Sequence, residues 1–273
     1  MVATPIGNLS DLSARAAKVL SSVPVVVAED TRRTKTLLSH LGARPLELLS
    51  LPAFDEQGRL ARVLRRLAEG SEVAFVTDAG TPGVSDPGTR LVAAAWDAGA
   101  RVVPLPGPSA ALAALSASGL PADRFLFAGF LPRKGGSRAK ELSRLAAVRE
   151  TLVLFEAGNR AGETLRDLLG AFGDRPAAVA RELTKLHEEI ARGTLSSLAD
   201  RFSGEVRGEV TLVVGGASGE PEPLAAEDVE AEIRRRLASG DPPVEVARAV
   251  ARARGIPRRQ AYDLVLAVRG GPG

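Results

Sequence analysis

The chain of 273 residues has no cysteine and only two histidines, His40 and His187. Disulfides, thiol nucleophiles and cysteine-ligated metals are therefore excluded, and two histidines leave too little material for a histidine metal centre, so no metal site is expected. Also missing are the Gly-x-Gly-x-x-Gly fingerprint and the Gly-x-x-x-x-Gly-Lys phosphate loop, which disfavours dinucleotide and nucleoside triphosphate enzymes of those types. No apolar run is long enough to span a membrane and no N-terminal stretch has the order of a signal peptide, so a cytoplasmic protein with no membrane partner is expected. Any chemistry must come from carboxylates, lysine, hydroxyls, backbone groups or a bound cofactor.

A hydrophobic content of 45% is normal for a globular chain with a real core. Short β-branched runs alternate with alanine-rich and leucine-rich stretches of helical period, which predicts an α/β architecture with a mainly parallel sheet in the first half. The predicted strands are Val23–Ala28, Val73–Thr77 and Arg101–Leu105, then Arg124–Phe127, Leu152–Phe155, Ala177–Ala180 and Val210–Val214. Helices are expected at Leu12–Leu20, capped by Asp11, and at Thr34–Leu41, Gln57–Glu69, Thr89–Ala98, Ser137–Val148, Ala161–Ala171 and Leu195–Phe202. The pattern changes near Gly119, and a polar linker, Ser218–Pro223, precedes a wholly helical tail: Ala225–Ala238, Val244–Arg254 and Arg258–Val268, with a turn at Gly255–Pro257. The expected domains are thus 1–118, 119–218 and 224–273.

Residues Gly80-Thr-Pro-Gly-Val-Ser-Asp-Pro-Gly88 come just beyond the end of the apolar run Val73–Val76, after Thr77-Asp-Ala79. Glycine permits close backbone approach and proline fixes φ, so the segment reads as a preset turn; a plain surface turn is the alternative. Parallel strands hold ligands beyond their carboxyl ends, which makes this loop a candidate ligand cradle. The same rule brings other polar residues to one rim: Glu29-Asp30-Thr31-Arg32-Arg33, Asp78, Pro106-Gly-Pro-Ser-Ala110, Glu156 and Arg181-Glu-Leu-Thr-Lys185. Glycine and proline turns beside apolar side chains suit a nucleoside held by backbone hydrogen bonds, and a sulfonium cofactor fits because its charge favours carbonyl oxygens over a lysine or arginine cage.

The net charge is only +3, yet residues 132–149 and 248–269 each carry six basic side chains against one acidic. Arginine-rich helices often serve solubility alone, but two such patches favour a polyanionic partner. The tail resembles a helix-turn-helix pair, and a helical appendage packing on a neighbouring subunit would read the same way.

Val2-Ala-Thr-Pro-Ile-Gly-Asn-Leu9, Ala28-Glu-Asp-Thr-Arg32, the Gly80–Gly88 loop, Pro106-Gly-Pro-Ser-Ala110, Ser118-Gly-Leu120, Gly129-Phe-Leu-Pro132 and Arg181-Glu-Leu-Thr-Lys185 resemble the tetrapyrrole methylase superfamily, and within it the branch acting on small-subunit ribosomal RNA. The resemblance runs in order from Val2 to about Gly216 and continues in the helical tail. It implies two α/β domains with a cofactor cleft between them, a homodimer, S-adenosylmethionine as methyl donor, and 2′-O-methylation of a cytidine ribose in the decoding region. Carried over by position, Pro5, Ile6, Ala79, Gly80, Thr81, Val84, Ser109 and Ala110 would line the cofactor site, with Phe155, Leu183 and Thr211 closing it. The hydroxyl needs a base, for which Asp30, Glu182 and Lys185 are candidates; the lysine qualifies only if its pKa is lowered, and Glu182 with Lys185 reads equally well as a structural ion pair. Arg32, Arg33, Lys134 and Arg138 would hold RNA phosphates. A corrin-type methylase and a non-catalytic RNA-binding assembly factor are the alternatives. Two departures stand out. Met1–Ala3 leave room for only a short first strand, unless the start is truncated, and Gly158-Asn159 replace the Pro-His of relatives, so no role for that histidine transfers.

Overall fold

A computed structural model describes residues 1–51, 56–217, 233–254 and 258–269. The linker at 218–223, positions 225–232 of the first tail helix and the turn at 255–257 lie outside them. The chain divides into two compact units, Met1–Ala217 and Ser218–Gly273.

The first unit holds two sheets. Strands β1 (Val25–Ala28), β2 (Glu47–Ser50) and β3 (Val73–Val76) form a parallel sheet of order β2-β1-β3. Alternation along β1 and β3 sends Val26, Ala28, Ala74 and Val76 to one face, against Ala16 and Leu20 of α1 (Ala14–Ser22) and Leu37 and Leu38 of α2 (Thr31–His40). Val25, Val27 and Phe75 face the other way, against Val63 of α3 (Glu56–Ala68) and Leu91 of α4 (Thr89–Asp97).

The second sheet is mixed, in the order β4-β5-β8-β6-β7, from β4 (Phe125–Phe130), β5 (Thr151–Ala157), β6 (Pro176–Arg181), β7 (Glu189–Thr194) and β8 (Glu209–Val214). Leu152, Leu154, Val179, Leu212 and Val214 pack beneath Leu145 of α6 (Gly136–Ala146), Leu165 and Leu168 of α7 (Gly158–Phe172) and Leu195 and Leu198 of α8 (Leu195–Arg201). The opposite face, with Val153, Ala178, Ala180 and Val213, is covered by Ala111, Ala114 and Leu115 of α5 (Ala110–Ser118). Helix α5 ends at Gly119 in the left-handed region, φ 65°, so it precedes the expected boundary yet packs with the residues that follow it.

Three sequence expectations need correction. Ser13, whose Oγ accepts from the Ala16 N–H at 3.1 Å, caps α1; Asp11 ends a separate 3-10 turn, Leu9–Asp11. Arg101–Leu105 forms no strand, only a parallel bridge from Leu105 to Val2, because Pro104 has no N–H to extend a ladder. Strands β2 and β7 and helix α5 were not anticipated. In the second unit, α9 (Pro243–Arg254) and α10 (Arg258–Arg269) bury Val246, Ala247, Val250, Ala251, Ala261 and Val265 around Ile233, and residues 233–238 are helical. Among the described residues no helix is long and apolar enough to cross a membrane.

Candidate active site

Strands β1 and β3 point their carboxyl ends to one side, and because β8 runs antiparallel to both β5 and β6, those two strands and β4 also share a common carboxyl edge. A cavity of about 390 Å³ opens where the loops of the two sheets meet. Three loops line it on the side of the first sheet, and hydrogen bonds fix them to each other. Gly80 and Thr4 exchange N–H···O bonds at 2.9 and 3.0 Å, and the Thr81 hydroxyl donates to the Pro108 carbonyl at 3.2 Å. Gly80 has φ 79° and Gly83 φ 85°, conformations that a side chain would strain. Ile6, Ala79, Gly80, Thr81, Val84, Ser109 and Ala110 all reach the cavity; Pro5, expected beside them, does not line it.

The far wall follows from register. Phe155, Thr211 and Ala180 are cross-strand neighbours on β5, β8 and β6, on the face opposite Leu154, Leu212 and Val179, so all three point into the cavity, with Leu183 just past the end of β6. Glu156, expected on the rim, lines it too, as do Ser85, Asp86, Phe130, Gly208 and Glu209, which were not singled out as site residues. The loop motif contained Ser85 and Asp86, and the strand-end rule pointed to Glu156, but Gly208 and Glu209 come from the start of an antiparallel strand, which that rule does not cover.

The three expected bases sit in ion pairs. Asp30 caps α2 outside the cavity and is bound at 2.6 Å by Arg32, whose hydrogen bonds pull its pKa to about 2. Glu182, at φ 50°, takes hydrogen bonds from Lys185 Nζ at 2.8 Å and the Glu209 N–H at 3.1 Å, the lysine contact chiefly lowering its pKa. Its carboxylate fills the space beside Gly208, where an added Cβ would lie 2.2 Å from Oε1. Burial pulls the Lys185 ammonium down, but its bonds to Glu182 and Glu209 outweigh this and leave its pKa raised, so the condition for a lysine base is not met. The pair joins the end of β6 to the start of β8.

Arg138, expected on an RNA face, is instead 5% exposed. Its guanidinium donates to Asp167 Oδ2 at 2.7 Å, Thr164 Oγ1 at 2.9 Å and the Pro132 carbonyl at 3.0 Å, and Thr164 in turn donates to Glu156 Oε2 at 2.7 Å. Its role is to hold Glu156 at the cavity edge. Arg32, Arg33 and Lys134 are exposed, Arg32 paired with Asp30 and Arg33 with Asp78. Gly158 also has a local reason: its N–H donates to the Gly208 carbonyl at 2.8 Å, a bond that proline could not make.

The profile of Tetrapyrrole (Corrin/Porphyrin) Methylases matches residues 1–199, which hold the first sheet, all of the second but β8, and most of the cavity wall. The chain belongs to the tetrapyrrole methylase family. It is 45% identical over 269 residues to the ribosomal RNA small subunit methyltransferase I of Xylella fastidiosa, covering 96% of both chains, and 43% identical to that of a Synechocystis species, covering 97% and 96%. Solved folds of the same kind include a uroporphyrin-III C-methyltransferase of Thermus thermophilus in complex with S-adenosyl homocysteine. It is 24% identical, with a TM-score of 0.55 over 78% of this chain and 95% of that one.

Proposed function

We propose that the chain uses S-adenosylmethionine to methylate the ribose 2′-oxygen of a cytidine in the decoding region of small-subunit ribosomal RNA, acting as a cytoplasmic homodimer. The observation that carries the reading is the chemistry of the cavity wall. Its charged residues are Asp86, Glu156 and Glu209, with no lysine or arginine among the described lining residues, so the site favours a cation over a phosphate. Its volume of about 390 Å³ falls in the usual ligand range of roughly 300–1,000 Å³. The glycine loop and the Phe155–Thr211–Ala180 wall suit a flat, uncharged nucleoside. When bound, the donor supplies an electrophilic methyl group with a neutral thioether as leaving group. The chain's own task is to align the acceptor hydroxyl, which can lower a barrier by about 7–11 kcal/mol. The relatives named for small-subunit ribosomal RNA, together with exposed Lys134, Arg32 and Arg33, favour RNA over a corrin as acceptor.

Phe130 lies at the cavity mouth, 59% exposed, its ring 5.6 Å from that of Phe155. It is suited to stack the base of the target nucleotide, a contact worth roughly 1–3 kcal/mol. Phe130→Ala is therefore expected to raise KM for small subunits about tenfold with little change in donor affinity; an unchanged KM removes the stacking role. Binding should also weaken steeply with salt, each neutralised phosphate contributing roughly 0.7–0.9 to the log–log slope. Lys134→Ala should lower that slope by about one such unit, and a flat response in the unsubstituted protein takes these cations off the RNA face.

The test of the reading is methyl transfer from labelled S-adenosylmethionine to small subunits lacking the modification. Transfer is expected, and it should stop when the target carries 2′-deoxycytidine. Continued transfer to that RNA would locate the acceptor on the base.

A further inference from the structure

The ion pairs leave the proposed reaction without a base among Asp30, Glu182 and Lys185, and the cavity itself holds three carboxylates. Glu156 is engaged on all sides: it accepts from Thr164 Oγ1 at 2.7 Å and the Ala157 N–H at 2.9 Å, and pairs with Arg160 at 3.2 Å. Glu209 is 74% exposed and bound by Lys185 at 2.9 Å. Asp86 differs from both. It is half-buried, lines the cavity from the stiff Gly80–Gly88 loop, and has no salt bridge among the described residues.

We propose that Asp86 is the catalytic base, accepting the proton of the hydroxyl that receives the methyl group. The inference rests on the function proposed above. As the hydroxyl oxygen forms its bond to the methyl carbon, the carbon–sulfur bond breaks with its electron pair going to sulfur, and the proton passes to an Asp86 carboxylate oxygen and later to water. The surroundings fit the task. Burial raises the Asp86 pKa to about 6, the nearby Thr77 hydroxyl partly opposes this, and the carboxylates of Glu29 and Asp78, at the ends of β1 and β3, push it up further. Asp78 is in turn paired with Arg33 of α2 at 3.4 Å, and Glu156 across the cavity is paired with Arg160. A base of this pKa is mostly ionised at neutral pH yet far more basic than an ordinary aspartate, the compromise that general-base catalysis favours.

The test compares the unsubstituted protein with Asp86→Asn, which keeps size and shape. The expected result is a fall in kcat of roughly a hundredfold or more, with a much smaller rise in donor Kd by calorimetry, since Glu156 and Glu209 keep the cavity acidic. Between about pH 5 and 8, kcat/KM of the unsubstituted protein should rise to a plateau through an inflection near 6, since the base must be ionised, and the inflection should vanish in the variant. Independently of turnover, the carbon-13 carboxyl resonance of Asp86 should titrate near 6. A variant within about threefold of full kcat overturns the assignment. So does a raised donor Kd with kcat unchanged, which would make Asp86 a donor-binding group, or a carboxyl titrating in the ordinary aspartate range. If Asp86 titrates near 6 but the unsubstituted protein transfers no methyl group to small subunits, the proposed function fails and this inference with it.

Discussion

Gly80→Val is expected to weaken S-adenosylmethionine binding by at least a hundredfold, a loss of about 2.7 kcal/mol. Two effects add. Gly80 sits at φ 79°, where a β-branched residue costs about 1–2 kcal/mol in backbone strain. A Cβ there would also lie 3.5 Å from Ile6 Cγ2 and 3.8 Å from the Pro108 carbonyl oxygen, so the valine methyls have only the cavity to occupy. Gly83→Ala separates the two effects. Gly83 is equally left-handed at φ 85°, but a Cβ there meets nothing within 4 Å and the residue does not line the cavity. It should therefore lose about 1 kcal/mol of stability with donor affinity nearly intact. Calorimetry showing unchanged affinity in Gly80→Val would refute the cradle.

The second large effect concerns stability. Gly162→Ala places a residue of higher helix propensity in the middle of α7, which by itself would stabilise by about 1 kcal/mol. The packing reverses the sign. A Cβ at 162 would lie 2.3 Å from the Phe202 carbonyl oxygen and 3.2 Å from its carbon, backbone atoms that cannot swing aside. Four residues earlier, Gly158 makes a similar approach to the Val206 and Gly208 carbonyl oxygens, so the two glycines form the seat on which α7 meets the segment after α8. The expected outcome is a net loss of about 2–3 kcal/mol, read from denaturant unfolding. Gly170→Ala, in the same helix with nothing within 4 Å of the added carbon, should instead stabilise by up to about 1 kcal/mol. Equal behaviour of the two variants would contradict the packing at Gly162.

The contrast between these glycines marks how far sequence reading reaches. The Gly80–Gly88 loop was legible because three glycines and two prolines crowd into nine positions just beyond an apolar strand, a local pattern with a local cause. Strand β2 was not, since its four residues, Glu47-Leu-Leu-Ser50, carry no alternation of their own and are ordered by pairing with β1. Helix α5 escaped notice because it is apolar on nearly every side and lacks an amphipathic stripe. Strand β7 was missed because its edge position, beside β6 alone, allows the polar and glycine residues of Glu189–Thr194. At the site, one sheet's contribution followed from the carboxyl-end rule, but the roles of charged residues did not. Arg138 looked like a phosphate ligand and is a buried support for Glu156; Lys185 looked like a possible base and is held as a cation; Asp86, one more acid in a turn, gains its character first from burial and then from the carboxylates of Glu29, distant in sequence, and Asp78. Charge function depends on neighbours that only the fold supplies.

The most direct measurement is mass spectrometry of nucleosides from small-subunit RNA that lacks the modification, before and after incubation with the protein and S-adenosylmethionine. Methylation confined to the sugar fragment of a single cytidine is the result this account predicts. No added methyl group, or one carried on the base fragment, would contradict it.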